Sequence, residues 1–270
     1  NPDVTAETHP YIATGQVGIK FGVPFDQVLE LAAAVHRHPR LVLDSIAMHI
    51  GSQILDPGPY REGTARLVDL IRRIRGLGID TLRQLDIGGG LGIRYQAEVP
   101  LDPGDFVRAV APLASETGLT LVVEPGRYLV GSAGLLLTTV LSRKHSGGRE
   151  LVLVDAGMND LVRPSHYQAY HDIVETEAAG RSEVVVDVVG PVCETGDFLA
   201  RERRLPGVAA GEGLAVLGAG AYGFVMASTY NGRPRAPEVL VDRGRWAVVR
   251  VRERVADLYA GETVEPVWRS

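Results

Sequence analysis

The chain has 270 residues, of which 45% are hydrophobic and 23% charged, enough to bury one large core or two ordinary ones. Its 28 basic and 33 acidic side chains leave a net charge of -5, so no basic surplus points to nucleic acid or to an anionic membrane. One cysteine cannot close an internal disulfide, which makes a reducing compartment, the cytoplasm, the expectation. The most apolar run, around residues 131–141, is too short and too interrupted by Gly, Ser and Thr to span a bilayer.

Residues 25–38 carry apolar side chains at Val28, Leu31, Ala32 and Val35, the spacing of one helix face, with Asp26 favourably placed in the first turn. SIAMHIG follows, a short apolar run bounded by turn residues, as a buried parallel strand reads. Residues 60–75 return to the helical period through Leu67, Leu70, Ile71 and Ile74, and Gly76 and Gly78 stop it. LRQLDIGGG is the next strand, 105–116 the next helix, and LTLVVEPG the strand after that. Strands alternating with helices over short connections predict a parallel sheet wrapped by helices.

Beyond Gly131 the helical period fades. LLLTTVLSR, ELVLVDAG, EVVVDVVG, GLAVLGAG, EVLVDRG and WAVVRVRE are short, rich in Val and Leu, and separated by turn residues, the pattern of an antiparallel sandwich or barrel. The expected class is α/β plus β, with domains at 1–132 and 133–270. The first would be a partial (β/α)8 barrel of about four β/α units, counting a strand that ends at residues 1–3. A closed barrel needs eight strands, and four leave open edges; the expectation is a chain without its natural amino-terminal portion.

Polar residues gather at the expected strand ends. DIGGGLG sets Gly88, Gly89 and Gly90 directly after a strand, where backbone N–H groups can approach an anion closely; a tight structural turn is the alternative. HIGSQ supplies His49 and Ser52, and EPGR supplies Glu124, Pro125, Gly126 and Arg127, at the edge where barrel enzymes keep their chemistry. VGPVCETGD holds the lone Cys193. A free cysteine is commonly a buried small hydrophobe, yet here it lies among turn residues and acids, as a loop group does. No metal-ligand spacing occurs.

HIGSQI, DIGGGLGI, EPGR, VDAGMNDLVRPSHY, GPVCETGD and GAYGFVMASTYN together resemble, in this order, the diaminopimelate decarboxylases of the alanine-racemase-like, pyridoxal-phosphate-dependent fold. The likeness starts at NPDVTAETHPYIATG and runs over nearly the whole chain. It implies a pyridoxal 5'-phosphate site in which Gly88, Gly89, Gly90, Ser52 and Tyr222 hold the phosphate, with Pro125, Gly126 and Arg127 also among the cofactor-binding residues. By the same resemblance His49 lies against the ring, and Glu124 keeps the ring nitrogen protonated. Arg127, Arg163, Tyr167 and Tyr222 would recognise the non-reacting end of meso-diaminopimelate, and Glu194 its distal ammonium. Cys193 would be the proton donor, reaching the site from the second subunit of a homodimer; a thiol, with an unperturbed pKa of about 8.5, suits that role.

The resemblance breaks at one point. That family attaches its cofactor through a lysine in a segment like YAxKAN, and the only lysines here are Lys20 in VGIKFG and Lys144 in SRKHSGG, the latter expected in an exposed turn. The chain alone is therefore expected to have little activity. Rival readings are a decarboxylase of ornithine, arginine or carboxynorspermidine, or a non-catalytic homologue that regulates a partner enzyme.

Overall fold

Two compact units divide the chain, Asn1–Ser132 and Ala133–Ser270. The computed structural model describes residues 1–4, 18, 20–266, 268 and 269; most of the opening NPDVTAETHPYIATG stretch lies outside the described residues.

In the first unit a 3₁₀ turn at Phe25–Gln27 leads into α1 (Val28–Arg37), then β1 (Ser45–Ala47), α2 (Gly58–Gly76), β2 (Gln84–Gly89), α3 (Pro103–Ser115), β3 (Thr120–Glu124) and the short α4 (Gly126–Val130). Helix α2 buries Tyr60, Leu67, Leu70, Ile71 and Ile74, one stripe at the helical repeat. Helix α3 starts where Asp102 accepts the N–H groups of Gly104 (2.8 Å) and Asp105 (3.2 Å), with Pro103 in the first turn where its missing N–H costs nothing. Ile46, Leu85 and Ile87 of the strands share one core with these helices, and the Tyr60 and Phe106 rings meet edge-on at 4.9 Å.

The three strands are parallel, in the order β1-β2-β3, with Ala47 opposite Asp86 and Gly89 opposite Glu124. The strand expected to end at residues 1–3 is not formed. Asp3 takes a left-handed φ of 53°, incompatible with an extended ladder, and Arg66 Nη1 takes up the carbonyls of Pro2 (2.5 Å) and Asp3 (3.0 Å). Among the described residues this unit thus has three strands rather than four, with open edges at β1 and β3.

The second unit contains β4 (Leu136–Ser146), β5 (Arg149–Val154), α5 (Arg163–Tyr167), β6 (Ile173–Glu175), β7 (Glu183–Val189), β8 (Phe198–Pro206) and β9 (Gly213–Val216) in one sheet of order β6-β9-β4-β5-β7-β8. The expected all-antiparallel pairing fails at one place, where β5 and β7 run parallel. Strands β4 and β5 turn back on each other through Gly147 and Gly148, both at positive φ, whereas the path from β5 to β7 passes through α5 and β6 and returns to the starting end. Lys144 sits within β4 opposite Leu151, not in the turn beyond it. Among the described residues strands β10 (Glu238–Asp242) and β11 (Arg245–Arg250) pair only with each other, as a two-stranded sheet apart from the six-stranded one. Their two-residue link, Arg243 and Gly244, has positive φ at both positions, and Pro234 and Pro237 ahead of β10 remove two ladder donors. No described helix is long and apolar enough to cross a membrane.

Candidate active site

Parallel pairing brings the carboxyl ends of β1, β2 and β3 to one edge of the first unit, and the polar groups singled out from sequence follow directly on them. His49 Nδ1 accepts the N–H of Gly89 at 3.3 Å, which assigns the imidazole proton to Nε2. Gly89 is the direct partner of Glu124. The backbone is so close here that a β-carbon on Gly88 would overlap the Met48 carbonyl, one on Gly89 the Glu124 carbonyl, and one on Gly90 the Gly51 carbonyl. Gly88 and Gly90 also sit at φ of 71° and 101°. The glycines thus let three strand ends converge. Of their amides, that of Gly88 is engaged by Asp86 Oδ1 at 2.8 Å and that of Gly89 by His49.

Arg127, just past Glu124 at the start of α4, is only 5% exposed. Its Nη2 donates to Ser52 Oγ at 2.9 Å and its Nη1 to Tyr95 Oη at 2.6 Å, with the guanidinium 5.8 Å from the Tyr95 ring centre. The link across to β1's loop is therefore made by side chains as well as by the sheet. Tyr60, fully buried, donates from its hydroxyl to the Gly89 carbonyl at 3.1 Å, and burial raises its phenol pKa. Tyr95 and Tyr60 were not legible as site residues: Tyr60 reads as helix core, and no local pattern announces that Tyr95 reaches Arg127.

In the second unit Cys193 is exposed, which removes the buried-hydrophobe reading. Its loop is organised by Asp197, 4% exposed, whose Oδ1 accepts Met158 N–H and whose Oδ2 accepts Val192 N–H, both at 2.6 Å. The Asp197 backbone closes the loop too, its N–H donating to the Glu194 carbonyl and its carbonyl accepting from Gly190. Gly157 and Gly190 lie against the carboxylate, where a β-carbon would not fit on Gly190. Burial pushes the Asp197 carboxyl up, opposed by the two backbone donors and by the Arg233 charge. Arg233 itself pins the neighbouring loop, through Asn159 Oδ1 (3.0 Å) and the Asp155 carbonyl (2.6 Å).

Glu194 accepts a hydrogen bond from the Tyr230 hydroxyl at 2.7 Å, and with Met158, Val162, Ser228 and Thr229 these two line an open recess of about 520 Å³. The hydrogen bond to Glu194, then its charge, raise the Tyr230 phenol pKa. Arg163, 6% exposed, heads α5 and donates from Nε to His171 Nε2 at 3.1 Å; Tyr167 closes the same helix. Tyr222, in the loop after β9, holds a positive φ of 58°, rare for a residue with a side chain. Within each unit, then, the singled-out residues cluster: His49, Ser52, Gly88, Gly89, Gly90, Glu124 and Arg127 in the first, Cys193 and Glu194 beside Tyr230 in the second.

The first cluster fits a phosphorylated aromatic aldehyde. It offers a carboxylate, an imidazole on the same strand ends, and a hydroxyl held by a guanidinium; a hydroxyl can donate to a phosphate while accepting from Arg127. Lys20 lies exposed with its ammonium 5.1 Å over the Phe21 ring, and Lys144 lies exposed on β4.

Residues 26–220 match the family model described as pyridoxal-dependent decarboxylase, C-terminal sheet domain. The diaminopimelate decarboxylase of Pseudomonas aeruginosa is 47% identical over 98% of this chain and 64% of its own length, and that of Aquifex aeolicus is 48% identical over 94% and 60%. The crystal structure of Helicobacter pylori diaminopimelate decarboxylase complexed with L-lysine superposes with a TM-score of 0.92 at 38% identity, over 96% of this chain and 64% of that one. The chain thus spans less than two thirds of the length of these relatives. It belongs to the pyridoxal-dependent decarboxylases, in the family defined by their C-terminal sheet domain.

Proposed function

We propose that this chain supplies the cofactor-holding and substrate-recognising groups of a pyridoxal 5'-phosphate enzyme that decarboxylates meso-2,6-diaminopimelate to L-lysine and CO₂. The observation that carries the reading is the junction at the carboxyl edge of β1, β2 and β3, where Gly89 is paired with Glu124 and bonded to His49. The names of the relatives, diaminopimelate decarboxylases, support this reaction class and substrate. In this reading the first unit is the later part of a (β/α)8 barrel and the second is the sheet domain that follows it.

Ser52, the triglycine turn and Tyr222 would hold the phosphate, with Pro125 and Gly126 beside it, and His49 would lie against the ring. Glu124 would keep the ring nitrogen protonated through its negative charge. When bound, the protonated cofactor ring takes up the electron pair released as CO₂ leaves. Arg127, Arg163 and Tyr167 would grip the carboxylate at the non-reacting end, a task that suits the planar guanidinium fork. Glu194, set by Tyr230, would meet the distal ammonium, favouring a substrate charged at both ends over ornithine. Cys193 Sγ would hold the proton that goes to the α-carbon in place of the lost carboxylate, the thiolate then regaining a proton from water. Two copies of the chain would build each site, the Cys193 loop coming from the second, in a reducing cytoplasm where the thiol stays reduced.

Pyridoxal 5'-phosphate titrated into the chain is expected to bind without forming a borohydride-reducible adduct. A reduced adduct on Lys20 or Lys144, found by mass analysis, would show that one of them serves as the attachment point and overturn this placement. Joined to the part of the Pseudomonas aeruginosa relative that it does not span, the chain is expected to release CO₂ from meso-diaminopimelate faster than from ornithine or arginine. Faster release from either of those moves the assignment to that substrate. Bound cofactor with no turnover of any would favour a non-catalytic regulator.

A further inference from the structure

His171 is fully buried, carries chemistry, and has no part in the reaction as laid out above. Its two ring nitrogens face partners of opposite kind. Nδ1 lies 2.9 Å from the Leu217 carbonyl oxygen, which only accepts, and Nε2 lies 3.1 Å from Arg163 Nε, which only donates. The pair of contacts admits a single form of the ring, the neutral Nδ1–H tautomer. The rest of the residue is anchored as well: Arg203 Nη1 donates to the His171 carbonyl at 2.6 Å, and Leu217 N–H donates to the Asp172 carbonyl at 2.8 Å. Arg163 from α5 meets the ring itself, and Arg203 from β8 meets the His171 carbonyl and lies 3.8 Å from the Asp172 carboxylate, so an imidazolium would add a cation directly beside Arg163. It would also set Nε2–H against the Arg163 Nε–H, donor against donor.

We propose that His171 is a positioning residue for Arg163: it engages the Nε–H and so makes the end-on Nη1/Nη2 edge the one presented to a substrate carboxylate. This rests on the reading of Arg163 as a carboxylate-binding group. Arginine rotates about its long side chain at an entropic cost on binding, and a partner that fixes the guanidinium plane in advance removes part of that cost.

The test is nuclear magnetic resonance on the ¹⁵N-labelled chain with a ligand titration beside it. In the unsubstituted chain His171 Nε2 is expected to show the shift of an unprotonated ring nitrogen and Arg163 Nε–H a slowly exchanging signal. His171→Leu should abolish the slow exchange, whereas His171→Gln, whose side-chain oxygen accepts from the same direction, should restore it. With meso-diaminopimelate as the probe, the Leu variant should bind about tenfold more weakly, the ordering cost of one long side chain, and the Gln variant within about threefold of the parent. A protonated Nε2, an Arg163 signal unaffected by the Leu change, or a Gln variant no better than Leu overturns the positioning role. If the expected resonances are seen but the unsubstituted chain binds no diaminopimelate, the carboxylate assignment of Arg163 fails instead, and the recognition role with it.

Discussion

Replacing Asp197 with Asn changes one atom type and leaves the volume of the side chain nearly unaltered, so its effect isolates the hydrogen bonding that shapes the cysteine loop. The carboxylate accepts Met158 N–H on one oxygen and Val192 N–H on the other, both at 2.6 Å. Asparagine has one oxygen, so one of the two amides, Val192's buried or Met158's half-buried, must face an NH₂ group. An orphaned buried donor costs about 1–3 kcal/mol, and the surviving bond falls from the charge-assisted to the neutral range, a further loss of about 1 kcal/mol. Against this stands the relief of a buried charge, the same burial that raises the Asp197 pKa. The net expectation is about 2 kcal/mol of destabilisation, about 1 M in urea midpoint for a protein with an m-value of about 2 kcal/mol/M. Because Cys193 is the only cysteine, alkylation by iodoacetamide reads this loop alone, and its rate should change several-fold in the variant as the loop loosens. A urea midpoint within about 0.2 M of the parent, with unchanged alkylation, would refute the view that Asp197 holds the loop.

Further outcomes follow from the same contacts. Tyr60→Phe removes the hydroxyl bond to the Gly89 carbonyl but keeps the edge-on contact with Phe106; it should cost about 1 kcal/mol, against about 3–5 kcal/mol for Tyr60→Ala, by denaturant unfolding. Gly89→Ala places a methyl group on the Glu124 carbonyl, so it should separate β2 from β3 and abolish cofactor binding, read by fluorescence titration. Arg127→Lys replaces a planar fork, whose two terminal nitrogens serve Tyr95 and Ser52 separately, with a single tetrahedral ammonium that cannot reproduce both contacts, and should weaken pyridoxal phosphate binding about tenfold. Glu194→Gln removes the negative charge that keeps the Tyr230 proton in place, so the phenol should titrate at lower pH, back toward 10.0, followed by ¹³C-tyrosine resonances; an unmoved midpoint contradicts the pairing.

The helices and strands of the first unit were legible because burial there follows period: the Leu67, Leu70, Ile71, Ile74 stripe and the apolar run before Gly88 each have one physical reading. Strand β8 was not, because FLARERRLP places four charged residues in succession and has neither alternation nor a run of Val or Leu to mark it. The short α5 and β6 fall below the length at which periodicity speaks. Glycine turns, acids and arginines at strand ends announced the candidate site, since those residue types are costly elsewhere. The groups that set them were silent for the opposite reason. Tyr95, His171 and Tyr230 are ordinary residues whose role is a contact with a side chain 32, 8 or 36 positions away. Asp197 stood in the quoted VGPVCETGD stretch and carried the one usable signal, an acid flanked by glycine at the close of a loop.

The claim on which the rest depends is that three parallel strand ends of the first unit form one anion and ring site. Amide resonances followed during titration with pyridoxal 5'-phosphate test it most directly. The account predicts that the perturbed amides of that unit gather at His49, Ser52, Gly88, Gly89, Gly90 and the segment from Glu124 to Arg127. Saturable binding that leaves these amides unmoved and shifts others would contradict it.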